Sequence, residues 1–283
     1  MLSYRHAFHA GSFADVLKHA VLVHALRHAV RKPTPVYFLD THAGAGVYDL
    51  SSAMARKIGE FHGGIERVFA AEACPELLRD YLHIVRAGNL PGELRHYPGS
   101  PALAAAILRT EDRIELVELH GTDHGALAGW AGTRVPVLRE DGLAVLARRM
   151  PPPERRAVVL IDPSYELKTD YQDVVAALAE AHRRFPTGAY LLWYPVIERA
   201  RTDEMLRALT ATAIARQYRL ELCPRPDAPG RGMTGCGVIV INPPWTLPAA
   251  VEQALPWLAR RLAATGPASA GWLIEPEAPP SGK

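Results

Sequence analysis

Apolar positions along this chain follow two alternating rhythms. Short continuous apolar runs bounded by Gly, Pro or a charge read as buried strands at residues 36–39, 114–118, 135–139, 157–161, 189–193, 218–223 and 237–241. Between most of them the apolar spacing is helical. Unbroken runs predict strands covered on both faces, and alternation with helices predicts a mostly parallel, seven-stranded, Rossmann-like α/β sheet. A first helix begins at Ser12, with Asp15 three residues later in the pattern of a capping box. Phe13, Val16, Leu17, Ala20, Val21 and Val23 carry it to about Lys32, where Pro33 and Pro35 stop it. The segment from about residue 48 to 108 is too long for one crossover, since a βαβ unit takes about 30 residues. Residues 59–96 therefore read as a small inserted helical subdomain within one domain spanning 1–283.

Composition narrows the class without deciding it. With 283 residues and 48% hydrophobic content, the chain buries a full core as one large α/β domain. The formal charge is only +2, so no strong basic field advertises nucleic acid. Twenty-seven of the 32 basic residues are Arg, with adjacent pairs at 148–149, 155–156, 183–184 and 260–261. Arg suits bidentate phosphate contacts, although a solvated surface is the better account of each single pair. Cys74, Cys223 and Cys236 lie far apart, which predicts neither a disulfide framework nor a cysteine metal site. His24 and His28 have helical metal-ligand spacing but no third ligand, so no metal is expected. A polar N-terminus and the lack of any run of about 18 apolar residues predict a cytoplasmic protein without a membrane span.

Chemistry enters at the end of the fourth strand run. Asp162, Pro163, Ser164 and Tyr165 stand one substitution away from the Asp-Pro-Pro-Tyr signature of enzymes that methylate exocyclic amino groups. An adenine N6 or cytosine N4 lone pair is delocalised into its ring, so such a site needs acceptors for the amino hydrogens and a surface for the base. Asp162 and the Pro163 carbonyl would accept, and Tyr165 would stack. A plain strand followed by a proline turn explains the same residues. Gly44 and Gly46 after the first strand form a loop for a polar ligand. A dinucleotide fingerprint fits poorly, because Asp49 stands at the third glycine position and Glu66 is not on a strand. S-adenosyl-L-methionine fits better, with Glu118 after the second strand for ribose hydroxyls and Asp141 after the third for adenine. Asn242, Pro243, Pro244 and Trp245 also match a broad Asn-Pro-Pro-aromatic pattern, but they follow the seventh strand and read as a structural turn.

The N-terminal run Met1, Leu2, Ser3, Tyr4, Arg5, His6, then His9, Ala10, Gly11 and Asp15, Val16, Leu17, Lys18, His19, resembles the RlmJ family of 23S ribosomal RNA adenine-N6 methyltransferases. The likeness continues through residues 39–46, 97–101, 162–171, 193–195, 231–234 and 240–245. It implies a class I S-adenosyl-L-methionine-dependent fold with an inserted helical subdomain. By matching motif it implies cofactor contacts at His19, His42, Ser100, Glu118, Asp141, Gly142 and Asp162, with Asp162 also the catalytic acceptor. It also implies RNA-side roles for Tyr4 and Lys18, and 23S ribosomal RNA, free or early in assembly, as partner. Ser164 departs from the family's proline, losing a fixed φ and restoring an N–H. A DNA adenine-N6 or cytosine-N4 methylase and a non-catalytic RNA-binding module remain the alternatives.

Overall fold

The computed structural model describes residues 5–276, apart from 229, 231 and 264. In chain order the elements are α1 (Phe13–Ala29), β1 (Tyr37–Asp40), β2 (Val47–Asp49), α2 (Ala53–Ile58), α3 (Ile65–Phe69), α4 (Glu76–Ala87), β3 (His96–Pro98), α5 (Ser100–Ala105), β4 (Arg113–Val117) and α6 (Gly121–Ala131). They continue with β5 (Val137–Leu138), α7 (Gly142–Arg149), β6 (Ala157–Ile161), α8 (Asp170–Arg184), β7 (Ala189–Val196), α9 (Arg199–Ala211), β8 (Gln217–Leu222), β9 (Gly235–Ile241), α10 (Leu247–Leu262) and β10 (Ala268–Ile274).

All seven apolar runs become strands of one sheet, with order β10-β8-β9-β7-β6-β1-β4-β5. Strands β5, β4, β1, β6 and β7 are mutually parallel; β9 runs against β7, β8 against β9 and β10 against β8. The sheet has eight strands rather than seven. The extra one, β10, is an edge strand whose Ala-Ser-Ala-Gly start offers no apolar run to read. Side chains alternate across the sheet with a period of two. Phe38, Val158 and Leu160 join the core under α1, α4 and α10, whereas Tyr37, Leu39, Val159 and Ile161 face the other core with α8.

Helix α1 is buried nearly all round: thirteen of its seventeen residues are covered, Asp15, Lys18 and His19 among them. Such a helix is part of the core, so each charge within it requires a partner. Between β2 and β3, which pair antiparallel, the chain passes through α2, α3 and α4. Helix α4 buries Leu77, Leu78, Tyr81, Leu82 and Val85 and packs against α1 and α10.

Because the chain leaves β1 for β4 on one side and returns to β6 on the other, a switch point opens at the carboxyl ends of these strands. Thr41, Glu118, Asp141 and Asp162 follow β1, β4, β5 and β6 there. Asn242 lies at the opposite end of the strands, since antiparallel pairing sets Ile241 beside Tyr190. Its side chain donates to the carbonyls of Pro186 and Gly188, each at 2.8 Å. Among the described residues no helix is long and apolar enough to cross a membrane.

Candidate active site

A cavity of about 890 Å³ occupies the switch point, lined from α1, the β1 loop and the ends of β4, β5 and β6. His19, His42, Gly44, Ser100, Glu118, Asp141, Gly142, Asp162, Pro163 and Tyr165 all line it, and so does Lys18. Tyr4 lies outside the described residues.

Two glycines shape one wall. Gly44 has φ +62°, and a Cβ there would stand 2.2 Å from the Tyr48 hydroxyl, so only glycine keeps this loop. A Cβ on Gly142 would stand 1.9 Å from the Thr41 carbonyl, which closes the start of α7 onto the β1 loop. The Gly44 amide donates to Glu118 Oε2 at 2.8 Å, and the His120 amide donates to Oε1 at 2.7 Å. Glu118 is thus fixed by one amide per oxygen, each oxygen retaining a lone pair for another donor. Burial raises its pKa, opposed by those amides. Asp141 caps α7 by accepting from the amides of Leu143 and Ala144.

The histidines of this wall are neutral. Burial lowers His42 to about 4 against the pull of Asp141, and its Nδ1 meets the Thr41 hydroxyl at 2.8 Å. Burial likewise takes His19 down to about 3, with Nδ1 2.8 Å from the Tyr97 hydroxyl. Asp40, wholly buried behind them, is pushed up to about 7 by burial, and its Oδ2 has no partner among the described residues.

The opposite wall is a chain of charges. Lys18 Nζ lies 2.6 Å from Asp162 Oδ2 and 2.9 Å from Asp15 Oδ1. Asp15 Oδ2 in turn accepts from the Gly11 amide at 2.8 Å and meets His6 Nε2 at 2.9 Å. Burial works against the charges of Asp15, Lys18 and Asp162. The charges of His6 and Lys18 nevertheless hold Asp15 well below the usual carboxylate range, and Asp15 with Asp162 holds Lys18 well above its ordinary value. Asp162 is raised by burial, with Lys18 opposing. Lys18 is therefore a buried cation on the Asp162 carboxylate, lining the cavity.

Beyond Asp162 the chain turns sharply. Tyr165 has φ +53°, a conformation costing an aromatic residue about 1–3 kcal/mol, and is held there by its surroundings. Its hydroxyl donates to the Trp193 carbonyl at 2.8 Å, and its ring packs against Tyr171 and the edge of Trp193.

Independent comparisons agree with this architecture. The family model described as "Ribosomal RNA large subunit methyltransferase D, RlmJ" matches residues 33–274. Ribosomal RNA large subunit methyltransferase J of Escherichia coli K12 is 45% identical over 278 residues, covering 97% of this chain and 99% of that protein. The protein of the same description from Haemophilus influenzae is 44% identical, covering 97% and 98%. The chain belongs to the RlmJ family. A solved Legionella pneumophila structure superimposes with TM-score 0.85 at 37% identity, covering 93% of this chain and 97% of that one.

As an RlmJ-family chain it is a class I, S-adenosyl-L-methionine-dependent ribosomal RNA methyltransferase. The cavity suits that cofactor. It offers Glu118 with free lone pairs, a glycine-lined approach to backbone at Gly44 and Gly142, and a surplus of carboxylates against a sulfonium cation. Three residues of this RlmJ cavity were not singled out for the site from sequence. Asp15, read as part of a capping box, does give its amide to the hydroxyl of the N-cap Ser12, while its carboxylate accepts from the Gly11 amide and pairs with Lys18. His6 closes the chain of charges, and Trp193 lines the cavity with Lys18 Nζ 5.8 Å from its ring centre. The available signal for Asp15 was two opposite charges, three residues apart, inside an otherwise apolar helix. Among the described residues no group of three or more His, Cys, Asp or Glu could hold a metal.

Proposed function

We propose that this chain transfers a methyl group to N6 of one adenine of 23S ribosomal RNA, with Asp162 as the acceptor that activates the amino group. The observation that carries this reading is the placement of Asp162 at the switch point, one oxygen held by Lys18 and the other without a donor among the described residues. S-adenosyl-L-methionine supplies an electrophilic methyl carried on a sulfonium. Glu118 and Asp141 hold its ribose and adenine, with His19, His42, Gly44, Ser100 and Gly142 shaping the pocket. The target adenine leaves its stack, at a cost of a few kcal/mol. Tyr165 and Trp193 provide aromatic surface for it, while Asp162 and the Pro163 carbonyl accept its two N–H bonds and aim the lone pair. The proton released as N6 is methylated passes to Asp162. Lys18 is too strongly protonated to act as the base; it keeps Asp162 ionised until that moment.

Arg5 bonds Asp123 at 3.4 Å and His9 pairs with Glu60 at 3.1 Å, which ties the N-terminal segment beside the cavity. This supports a substrate-side role for Tyr4, immediately before it. A base must be everted to reach Asp162, which favours free or early-assembly RNA over a packed subunit, in the cytoplasm. Residues 59–96 are read as the inserted helical subdomain of a single methyltransferase domain. The deciding experiment is methylation of transcribed 23S ribosomal RNA with a labelled methyl donor, followed by nucleoside analysis. N6-methyladenosine is expected, and label in DNA or in another nucleoside would overturn the assignment.

Two variants test the parts. Glu118→Ala should weaken S-adenosyl-L-methionine binding about 10- to 100-fold, because a hydrogen bond to a charged acceptor contributes about 1.5–3 kcal/mol. Calorimetry showing unchanged affinity, or tight NAD binding by the native chain, would remove Glu118 from the cofactor site. Ser164 lines the cavity where the family signature has proline. Restricting one backbone residue is worth about 0.4–1 kcal/mol, so Ser164→Pro should raise the single-turnover rate about two- to fivefold. A slower variant would mean that Ser164 itself contacts the substrate.

A further inference from the structure

Of the four adjacent arginine pairs in the sequence, two are satisfied by carboxylates within the protein. Arg148 pairs with Glu140 and Arg149 with Glu115, while Arg183 and Arg184 share Glu180. Arg156 bonds the carbonyls of Ala29 and Thr34 at the far end of the sheet. Arg155, beside Arg156 at that far end, and Arg260 and Arg261 at the end of α10 also have no carboxylate partner among the described residues. Arg261 is instead set against another exposed arginine. Arg67 Nη1 donates to the Arg261 carbonyl at 3.3 Å, and Arg261 Nη1 donates to the Arg67 carbonyl at 3.3 Å. The Arg261 guanidinium also lies 4.4 Å from the ring centre of Trp257.

Both carbonyls belong to helix C-termini, whose partial negative charge explains why two cations tolerate each other. Capping uses one of the five N–H donors of each guanidinium. The others remain for a ligand, and two guanidiniums, each bonded to the other residue's carbonyl, suit a phosphodiester backbone.

Topology brings this pair to the cavity end of the sheet. Strand β8 runs parallel to β7, so its end at Leu222 is on the cavity side, and the Pro224 carbonyl there accepts from the Thr265 amide just after α10. Helix α3, which packs against α10, reaches the same end: its Ile65 amide donates to the Gly11 carbonyl.

We infer that Arg67 and Arg261 form a clamp for the ribosomal RNA backbone, gripping phosphates away from the everted base. The inference rests on the reading of ribosomal RNA as substrate. The clamp accounts for how a chain of formal charge +2 holds RNA: a local field replaces a global one.

The test measures binding of the full chain to a transcribed 23S ribosomal RNA fragment across a sodium chloride series, with methylation of the same RNA and calorimetric S-adenosyl-L-methionine affinity alongside. Each phosphate contact contributes about 0.7–0.9 to the slope of log affinity against log salt. The R67Q/R261Q variant should therefore lower the slope by roughly 1.4–1.8, raise the KM for RNA and leave cofactor affinity unchanged. Because the side chains also cap helices, the single variants R67Q and R261Q, each retaining one cap, are measured too and should each lose about half as much slope. Native slope and KM in the single variants, with the native chain binding and methylating the RNA, would overturn the clamp and leave the activity standing. A native chain that neither binds nor methylates the RNA would overturn both.

Discussion

Replacing Asp162 with alanine is expected to lower the single-turnover rate of methyl transfer by about 10²- to 10⁴-fold, the range over which a positioned proton acceptor acts. The loss has two sources. The adenine amino group loses the acceptor that aims its lone pair, and the proton released from N6 loses its destination. Cofactor affinity should fall far less, because Glu118, the Gly44 loop and Gly142 are fixed by contacts independent of Asp162. Asp162→Asn separates geometry from charge: it keeps the shape but presents an amide to Lys18, and should be nearly as inactive. Rates are measured with a ribosomal RNA fragment at saturating cofactor, with circular dichroism to verify the fold. Near-native turnover in either variant would sink the assignment. Asn242 could not inherit the role, since it is fixed at the opposite end of the strands by the Pro186 and Gly188 carbonyls.

What the sequence made legible divides along a physical line. Continuous burial writes itself locally, so β6 forms over the same five residues that its apolar run marks, and the acids after β4, β5 and β6 could be placed in strand order. Elements with weak local signals were lost or shortened. Strand β5 keeps only Val137 and Leu138, because it lies at a sheet edge and pairs with β4 through those residues alone. Strand β10 is built partly from Ala, Ser and Gly, and its pairing with β8 supplies what its composition does not. The charges of the site were hidden by distance: Lys18 and Asp162 are 144 residues apart in sequence yet 2.6 Å apart in space. Helical periodicity assigns Lys18 to a face and cannot say that a strand end meets it there. Nor does sequence reveal that Tyr165 takes φ +53°, since that conformation is imposed by Trp193 and Tyr171 rather than chosen by the residue.

Lys18→Met should produce a defect that pH can partly repair for catalysis while worsening the fold. Lys18 is buried between Asp15 and Asp162, and removing one member of such a buried pair costs about 3–5 kcal/mol because the remaining charge is stranded. The sign of the pH response follows from the direction of the shifts. Burial already raises Asp162, and Lys18 pulls it back, so without the lysine the carboxyl pKa rises further. Catalysis needs the carboxylate; the acid limb of the pH-rate profile should therefore move upward, with a large loss near neutrality that shrinks as pH increases. Stability should respond in the opposite sense. A carboxyl whose folded pKa exceeds its unfolded value is penalised once pH rises above the unfolded value, and the penalty is relieved as protonation neutralises it. The variant should accordingly gain stability relative to the native chain as pH falls through the raised Asp162 pKa, while its activity declines over the same interval. Urea melts and single-turnover rates across that range test both halves. Lys18→Arg, which retains the charge in a bulkier group, should keep the native acid limb even where its packing lowers the rate. A methionine variant with the native pH-rate profile would reduce Lys18 to a packing residue, and Asp162 would then owe its ionisation to some other group in the cavity.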